Sequence, residues 1–180
     1  MTQIGITDAG HTVNLSDNPF DHVAITFPNW KGGKTLELTN DLMQGNSFTV
    51  TPATAAFQNT QDWGDNSHFS HSNDHSATGT IIPVQDSDVD KLLMGIFKKS
   101  HPVKGDLSDA TASECVFNVR YWNSANGKEL KAQGCLITNL PAFEVSNGSN
   151  STQNGNSYPF TATDYDYTPA APADKNYAVD

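Results

Sequence analysis

Apolar and polar residues alternate along several short segments of this chain, which is the pattern of half-buried β-strands. The clearest alternating segment has the apolar residues Cys115, Phe117, Val119 and Tyr121. Asn126-Gly127 follows it, a pair that tolerates positive φ at both central positions of a type I′ turn. The return strand has the apolar residues Leu130, Ala132, Leu136 and Ile137. This pattern predicts a β-hairpin with its turn at Asn126 and Gly127.

Weaker alternation predicts more strands in the first half of the chain. These strands are expected at residues 22–27, 35–39, 47–57 and 78–84. Pro52 cannot donate a backbone hydrogen bond, so it places its strand at a sheet edge or a bulge. A short hairpin or arm is expected at the N-terminus, where four apolar residues alternate weakly, Ile4, Ile6, Val13 and Leu15.

One segment, at about residues 87–99, has the period of an α-helix instead. Its apolar stripe consists of Val89, Leu92, Leu93, Ile96 and Phe97. Asp86 or Ser87 can cap its start, and two lysines near its end complement the helix dipole. Pro102 prevents continuation. We expect this single helix to pack its stripe against a sheet.

Residues 57–78 lack any such period and predict a long loop. Phe57, Trp63 and Phe69 are large aromatics among polar residues there. Loops of this length are usually functional or interfacial, and a large aromatic on a polar loop gains most by burial against a partner. The segment 168–180 also lacks periodicity and predicts an extended C-terminal tail.

The composition indicates one domain, residues 1–180, that is large enough for a core. Hydrophobic residues make up 36% of the chain and the mean hydropathy is −0.50, which favours a protein that completes its burial against copies of itself. The formal charge of −10, with Arg120 as the single arginine, argues against a direct nucleic-acid reader. We expect neither secretion by a standard signal nor a membrane span, because Met1 is followed by polar residues and no run approaches eighteen apolar residues.

Candidate chemistry is sparse. His68, His71 and His75 have spacings that would suit a metal ion if they lay on a helix, but the Ser- and Asn-rich context favours a solvated or interfacial loop. No catalytic constellation, phosphate-binding loop or cofactor motif is present, so we expect no enzyme activity and no cofactor. Reduced thiols are favoured at Cys115 and Cys135, although a hairpin could also bring the two together for a disulfide.

The run GCLITNLPAFEVSN, followed by a soft polar loop and YPFTATDY, resembles the C-terminal half of tail tube proteins of tailed bacteriophages. This major tail protein family is related in architecture to type VI secretion tube proteins. The resemblance covers about the last third of the chain. It implies a mainly β fold, a β-sandwich or open barrel of antiparallel hairpins with one helix across the sheet.

The resemblance also implies stacked rings, with hexamers favoured over trimers, in which an extended loop reaches the neighbouring ring. Phe57, Trp63 and Phe69 would make that inter-ring contact. The bore would be electronegative, because a ring of six copies carries about sixty net negative charges, and DNA would pass through without specific binding.

Further implications concern place and partners. The protein would belong to the virion tail, be made and assembled in the host cytoplasm, and not enter a membrane. Tail sheath, baseplate, tail terminator and tape measure proteins would be its partners.

Two other interpretations stay open from the residues. A β-sandwich receptor- or carbohydrate-binding virion module could use Trp30, Trp63 and Trp122 as platforms for sugar rings. A metal-dependent hydrolase would have to use the three histidines of the 57–78 segment.

Overall fold

The computed structural model describes residues 21–30, 33–42, 47–64, 67–101, 109–141 and 155–170. Within them the chain forms ten strands, two α-helices and a 3-10 turn at Thr39–Asp41. The strands are β1 (Asp21–Phe27), β2 (Lys34–Glu37), β3 (Phe48–Pro52), β4 (Phe57–Gln61), β5 (Ser67–His71), β6 (Ala77–Ile81), β7 (Phe117–Asn123), β8 (Glu129–Ile137), β9 (Tyr158–Ala162) and β10 (Asp164–Thr168). The helices are α1 (Asp88–Ser100) and α2 (Asp109–Cys115).

The fold is mainly β and all of its pairings are antiparallel, which confirms the predicted fold class. Eight strands form one sheet in the order β2-β1-β7-β8-β9-β6-β3, with β10 also paired to β8. The remaining two strands, β4 and β5, pair only with each other in the described part of the chain.

The regular strand pairing is interrupted at Gly134 in β8. The consecutive strands β9 and β10 pair with β8 in one continuous register, since Gln133 pairs with Asp164 and Leu136 with Thr161. Gly134 therefore lies opposite Thr163, the residue between β9 and β10. Its φ of +61° and the shift in the β7–β8 register nearby are the marks of a β-bulge, which bends a strand.

The bent sheet curls around one hydrophobic core. Phe48 on the edge strand β3 stacks on Tyr121 of β7 at 6.4 Å between ring centroids, although four steps of the strand order separate these strands. Phe117 of β7 meets Phe160 of β9 edge-on at 5.9 Å. The largest fully buried side chains include Phe27, Leu38, Leu93, Phe117, Tyr158 and Phe160.

Helix α1 closes the core, as its apolar stripe predicts. Its buried apolar residues are Val89, Leu93 and Ile96, and its partly buried ones that pack on the core are Leu92 and Phe97. Ser87 is the N-cap and accepts a hydrogen bond from the Asp90 amide at 3.1 Å, which satisfies one of the free N–H groups of the first turn. Lys98 and Lys99 lie in the last turn.

Two details of the central hairpin differ from the prediction. Cys115 is the last residue of α2, a second helix that the sequence pattern did not indicate, and β7 begins at Phe117. The turn is also longer than a type I′ turn. Asn123 and Lys128 close it with a 2.8 Å backbone hydrogen bond, and only Gly127 among its residues has positive φ, at +73°.

The prediction that residues 57–78 form a loop without secondary structure is wrong. Most of the segment is the β4–β5 hairpin, and its last residues begin β6. Backbone pairing holds this hairpin together. Its strands FQNTQ and SHFSH have one apolar residue each, so no apolar alternation was there to detect. The predicted N-terminal arm and residues 171–180 of the predicted tail lie outside the described residues.

Candidate assembly surfaces

The β4–β5 hairpin presents an aromatic face to solvent. Phe57 pairs with His71 and Asn59 with Phe69, and because side chains alternate along a strand, Phe57, Phe69 and His71 share one face. Every residue of both strands is exposed, and Phe57 and Phe69 keep 64% and 73% of their surface accessible. Trp63 is fully exposed at the hairpin tip. We call Phe57, Trp63, Phe69 and His71 the aromatic hairpin patch.

The hairpin tip is held in shape by one carboxylate. Asp62 Oδ1 accepts a 2.8 Å hydrogen bond from the Gly64 amide, and Asp62 Oδ2 lies 3.1 Å from His68 Nε2. The first contact lies within the tip and spans Trp63, and the second joins the tip to β5. Nothing in the described part of the chain covers the Trp63 ring.

The hairpin root is held by a second carboxylate. Asp74 Oδ1 accepts from the Ser76 amide and Asp74 Oδ2 from the Thr54 hydroxyl, both at 2.9 Å. The hydrogen bonds of Ser76, followed by that of Thr54, lower the pKa of the Asp74 carboxyl. Ala53 N also donates to Ser76 O at 2.9 Å. These bonds link the segment that follows β3 to the segment that precedes β6, at the base of the hairpin.

The structure does not bring the three loop histidines together as a metal site. His68 and His71 are three residues apart on β5, so their side chains lie on opposite faces of the hairpin. His75 lies beyond the strand, before β6. Among the described residues, no group of three or more His, Cys, Asp and Glu side chains is placed to hold a metal ion.

The outer face of the β7–β8 hairpin carries paired charges. Arg120 Nε donates to Glu129 Oε1 at 2.6 Å, and Lys131 Nζ lies 3.1 Å from Glu129 Oε2. The hydrogen bond from Arg120, followed by that from Lys131, lowers the pKa of Glu129. Two cations thus share one carboxylate, and the single arginine of the chain is engaged within its own sheet.

Two of the three tryptophans are occupied by contacts within the chain. Trp30 packs edge-on against Phe27 at 5.4 Å and is partly buried. The Trp122 ring stacks on His22 at 4.9 Å and has the Arg120 guanidinium 4.8 Å from its centroid. Of these three indoles, only that of Trp63 is fully exposed.

Three strands of the main sheet pair on one side only within the described residues, namely β2, β3 and β10. The β2 strand has four residues and charged side chains at both ends, features that protect a sheet edge from indiscriminate pairing. The β10 strand has the exposed side chains Asp164, Asp166 and Tyr167. Sequence reasoning did not propose these residues as an edge, although the alternation in DYDYT was a signal for a strand.

The two cysteines are separate, buried thiols. Cys115 and Cys135 are free and buried, and Cys135 faces Phe117 across the ladder instead of the other cysteine. Burial raises the pKa of the Cys135 thiol to about 12, so the thiol stays protonated and unreactive near neutral pH. Neither described helix has the length and apolarity needed to cross a bilayer.

No protein-family model matches this sequence, and no curated protein sequence matches it either. Among solved structures, the chain is similar to a chain of the anti-feeding prophage cap, the tube-terminating cap. The identity is 7% and the TM-score 0.48, over 91% of this chain and 98% of that one.

Two other solved structures are similar to this chain. A chain of the anti-feeding prophage baseplate shares 11% identity at a TM-score of 0.47, over 88% of this chain and 97% of that one. A chain of the sheath-tube complex of PVC, an extracellular contractile injection system in its extended state, shares 10% identity at a TM-score of 0.44, over 84% and 88%. At these identities the similarity is one of fold alone.

Proposed function

We propose that the protein is a structural subunit of a phage tail-type tube, in which it polymerises as stacked hexameric rings around an electronegative channel. The observation that carries this proposal is the aromatic hairpin patch. The resemblance of the C-terminal third to tail tube proteins supports the same assignment.

The hairpin supports the stacking of rings. A two-stranded hairpin on its own is marginally stable in water, and every residue of β4 and β5 is exposed. Aromatic side chains bury roughly 150–250 Å² each and dominate the energetics of interfaces. Covering Phe57, Trp63 and Phe69 with the next ring would remove this surface from water and hold the hairpin in place.

The open strand edges support lateral closure. The strands β10, β8, β7, β1 and β2 form a continuous ladder with β10 at one border and β2 at the other. If β10 of one copy contacts β2 of the next, the contact is heterologous, and a heterologous contact closes into a ring when its rotation allows. A closed ring of this kind would cover the edges of β10 and β2.

The charge distribution supports a channel that does not bind DNA. Each copy carries a net charge of −10, which opposes the approach of phosphates. Glu129 engages Arg120 and Lys131, so these two cations of the hairpin are neutralised within it. We assign the bore wall to the hairpin at 113–132 and to the segments 47–57 and 78–84, which contain β3 and most of β6.

In this role the protein acts without catalysis or cofactor, in the virion tail. Its partners would be further copies of itself, the tail sheath, the baseplate, the tail terminator and the tape measure protein. Assembly would take place in the host cytoplasm.

Negative-stain electron microscopy and sedimentation velocity of the purified chain test the proposal directly. We expect rings or tubes of uniform diameter, with a fraction of polymer that rises with protein concentration. A protein that stays monomeric at the highest soluble concentration would contradict the proposal.

A carbohydrate-binding virion module is the second candidate, and the exposed ring of Trp63 is the observation that favours it. This function predicts that a glycan quenches the fluorescence of the monomer, and that Trp63→Ala abolishes the quenching. Trp30→Phe is the control, because Trp30 is partly buried and already packs against Phe27.

A further inference from the structure

The turn between β7 and β8 places an exposed asparagine directly before a glycine. Asn126 Oδ1 accepts a 3.0 Å hydrogen bond from the Lys128 amide, which is the side-chain turn typical of Asn and Asp. This hydrogen bond closes a short ring of atoms that includes the Gly127 peptide nitrogen. It therefore holds the Asn126 side-chain carbonyl carbon, Cγ, beside that nitrogen.

The surroundings of the Gly127 α-carbon are open. Gly127 has no side chain, and a methyl group placed there would meet no heavy atom within 4 Å. Asn126, Gly127 and Lys128 are all exposed, so water reaches this turn and no side chain crowds it.

One hydrogen bond opposes the reaction. Gly127 N donates to Asn123 O at 3.0 Å, and this bond must open before the nitrogen can act as a nucleophile. The bond lies in an exposed turn beyond the last paired residues of the two strands. Exposed backbone hydrogen bonds of turns belong to the least protected part of a folded protein, so brief opening does not require the sheet to unfold.

We propose that Asn126 is a site of spontaneous covalent modification, through a cyclic imide with Gly127. Hydroxide removes the proton of Gly127 N, the N–Cγ bond forms, and the Cγ–Nδ2 bond breaks with release of ammonia. Water then opens the ring at either carbonyl. The products are aspartate and isoaspartate at position 126, and no oxidant or reductant takes part.

The modification changes both the charge and the backbone of the hairpin end. Either product adds one carboxylate two residues from Lys128. Isoaspartate also routes the main chain through Cγ and adds one methylene to the turn. This longer turn is expected to disturb the 2.8 Å bond from Asn123 N to Lys128 O that closes the hairpin. The inference concerns the single chain and does not depend on assembly.

The test follows Asn126 by peptide mapping and mass spectrometry during incubation in water enriched in the heavy oxygen isotope. In the folded protein we expect the peptide that contains Asn126 to take up one heavy oxygen, faster at pH 8 than at pH 6, because the attacking nitrogen must lose its proton. Mapping separates this site from the other Asn-Gly pairs of the sequence, Asn147-Gly148 and Asn154-Gly155.

Two variants and one reference sharpen the test. Asn126→Gln should lose the uptake at this peptide, because its ring would have to be larger. Asn123→Ala removes the side-chain acceptor that holds the amides of Ala125 and Asn126, so it should increase the rate. The protein unfolded in urea gives the rate of the unconstrained chain. Uptake in urea without uptake in the folded protein would overturn the proposal, and so would no uptake in either state.

Discussion

The Tyr158 hydroxyl donates a 2.6 Å hydrogen bond to Asp90 Oδ1 inside the protein. Asn156 Nδ2 lies 3.0 Å from both oxygens of the same carboxylate, and the Asp86 amide donates to Oδ2 at 2.9 Å. Asp90 is only 3% exposed, so these donors replace its water. Burial, followed by the bond to Asp90, raises the pKa of Tyr158 well above its ordinary value. The first turn of α1 is thereby joined to β9.

Replacing Tyr158 by phenylalanine should destabilise the protein by about 1–3 kcal/mol, because it leaves a buried carboxylate oxygen without its shortest donor. Urea unfolding followed by circular dichroism measures the loss. Tyr167→Phe is the matched control, since Tyr167 is exposed on β10 and its change should stay within about 0.5 kcal/mol. Equal losses in the two variants would show that the Asp90 contact contributes nothing specific.

Gly134→Ala should destabilise the protein by at least about 1–2 kcal/mol, the cost of a side chain at left-handed φ. Overlap adds to this cost, because the new methyl carbon would lie 2.3 Å from Thr163 Oγ1. Thermal unfolding measures the effect. In a double-mutant cycle, Thr163→Ala should remove the part of the destabilisation that comes from steric overlap. The part that comes from the backbone conformation of Gly134 should remain.

Gly95→Ala is the control for this prediction and should have the opposite sign. Gly95 lies in the interior of α1, and a methyl group there meets no atom within 4 Å. Alanine should therefore stabilise the helix by about 0.5–1 kcal/mol. A destabilising Gly95→Ala, or a neutral Gly134→Ala, would contradict this account of the two glycines.

The free energy of unfolding should fall as the pH rises from about 9 towards 12. Burial raises the pKa of Cys135 to about 12, and burial together with the Asp21 hydrogen bond raises that of Tyr121 to about 12. In the unfolded chain these groups lose their protons nearer pH 8.5 and 10. Over this interval the unfolded state therefore binds fewer protons than the folded state, and alkali favours unfolding.

Urea midpoints measured at several pH values between 7 and 11 test this dependence. Tyr121→Phe should reduce the slope above about pH 10, and Cys135→Ala should reduce it from about pH 8.5 upwards. Each substitution removes only its own part, because the raised pKa of Tyr158 also contributes to the slope. The slope is the readout, because both substitutions also shift the level of stability. A flat wild-type curve above pH 9 would be inconsistent with the raised pKa values.

Serine at Phe57 and Phe69 should prevent assembly without weakening the fold. The two rings are exposed on the hairpin, so the stability of the monomer should change by less than about 0.5 kcal/mol. Loss of aromatic anchors from an interface costs about 2 kcal/mol or more each. Sedimentation velocity and urea unfolding on the same sample separate the two effects.

Leu140→Ser is the matched control for the hairpin variants, because Leu140 is a partly exposed apolar residue outside the hairpin, at 37% exposure. It should leave assembly intact. Assembly that survives the loss of both phenylalanines would remove the hairpin from the inter-ring contact.

The sequence allowed prediction of those elements whose burial follows a period. The helix expected at about 87–99 lies at Asp88–Ser100, and the strand expected at 22–27 lies at Asp21–Phe27. Both have apolar residues that face one core, so local pattern and tertiary packing agree. The strands expected at 47–57 and 78–84 end earlier than expected, at Pro52 and Ile81.

The features that depend on distant contacts were not predictable in the same way. The bend at Gly134 depends on Thr163, and the burial of Asp90 depends on Tyr158, a residue far along the chain. The β4–β5 hairpin escaped prediction because polar side chains on both faces leave no period of two. For the candidate site, the three aromatics were named from the sequence, whereas the place of His71 beside Phe57 required the strand register.

The hairpin β4–β5 contributes no side chain to the core, and the hydrogen bonds of Asp74 lie at its base, between the end of β3 and the start of β6. The residues that form the core and the exposed residues of the hairpin therefore lie in different parts of the chain. Sequences at the hairpin tip can diverge, or be grafted from another protein, at little risk to the scaffold. A change of binding partner would therefore require exchange of the β4–β5 hairpin alone.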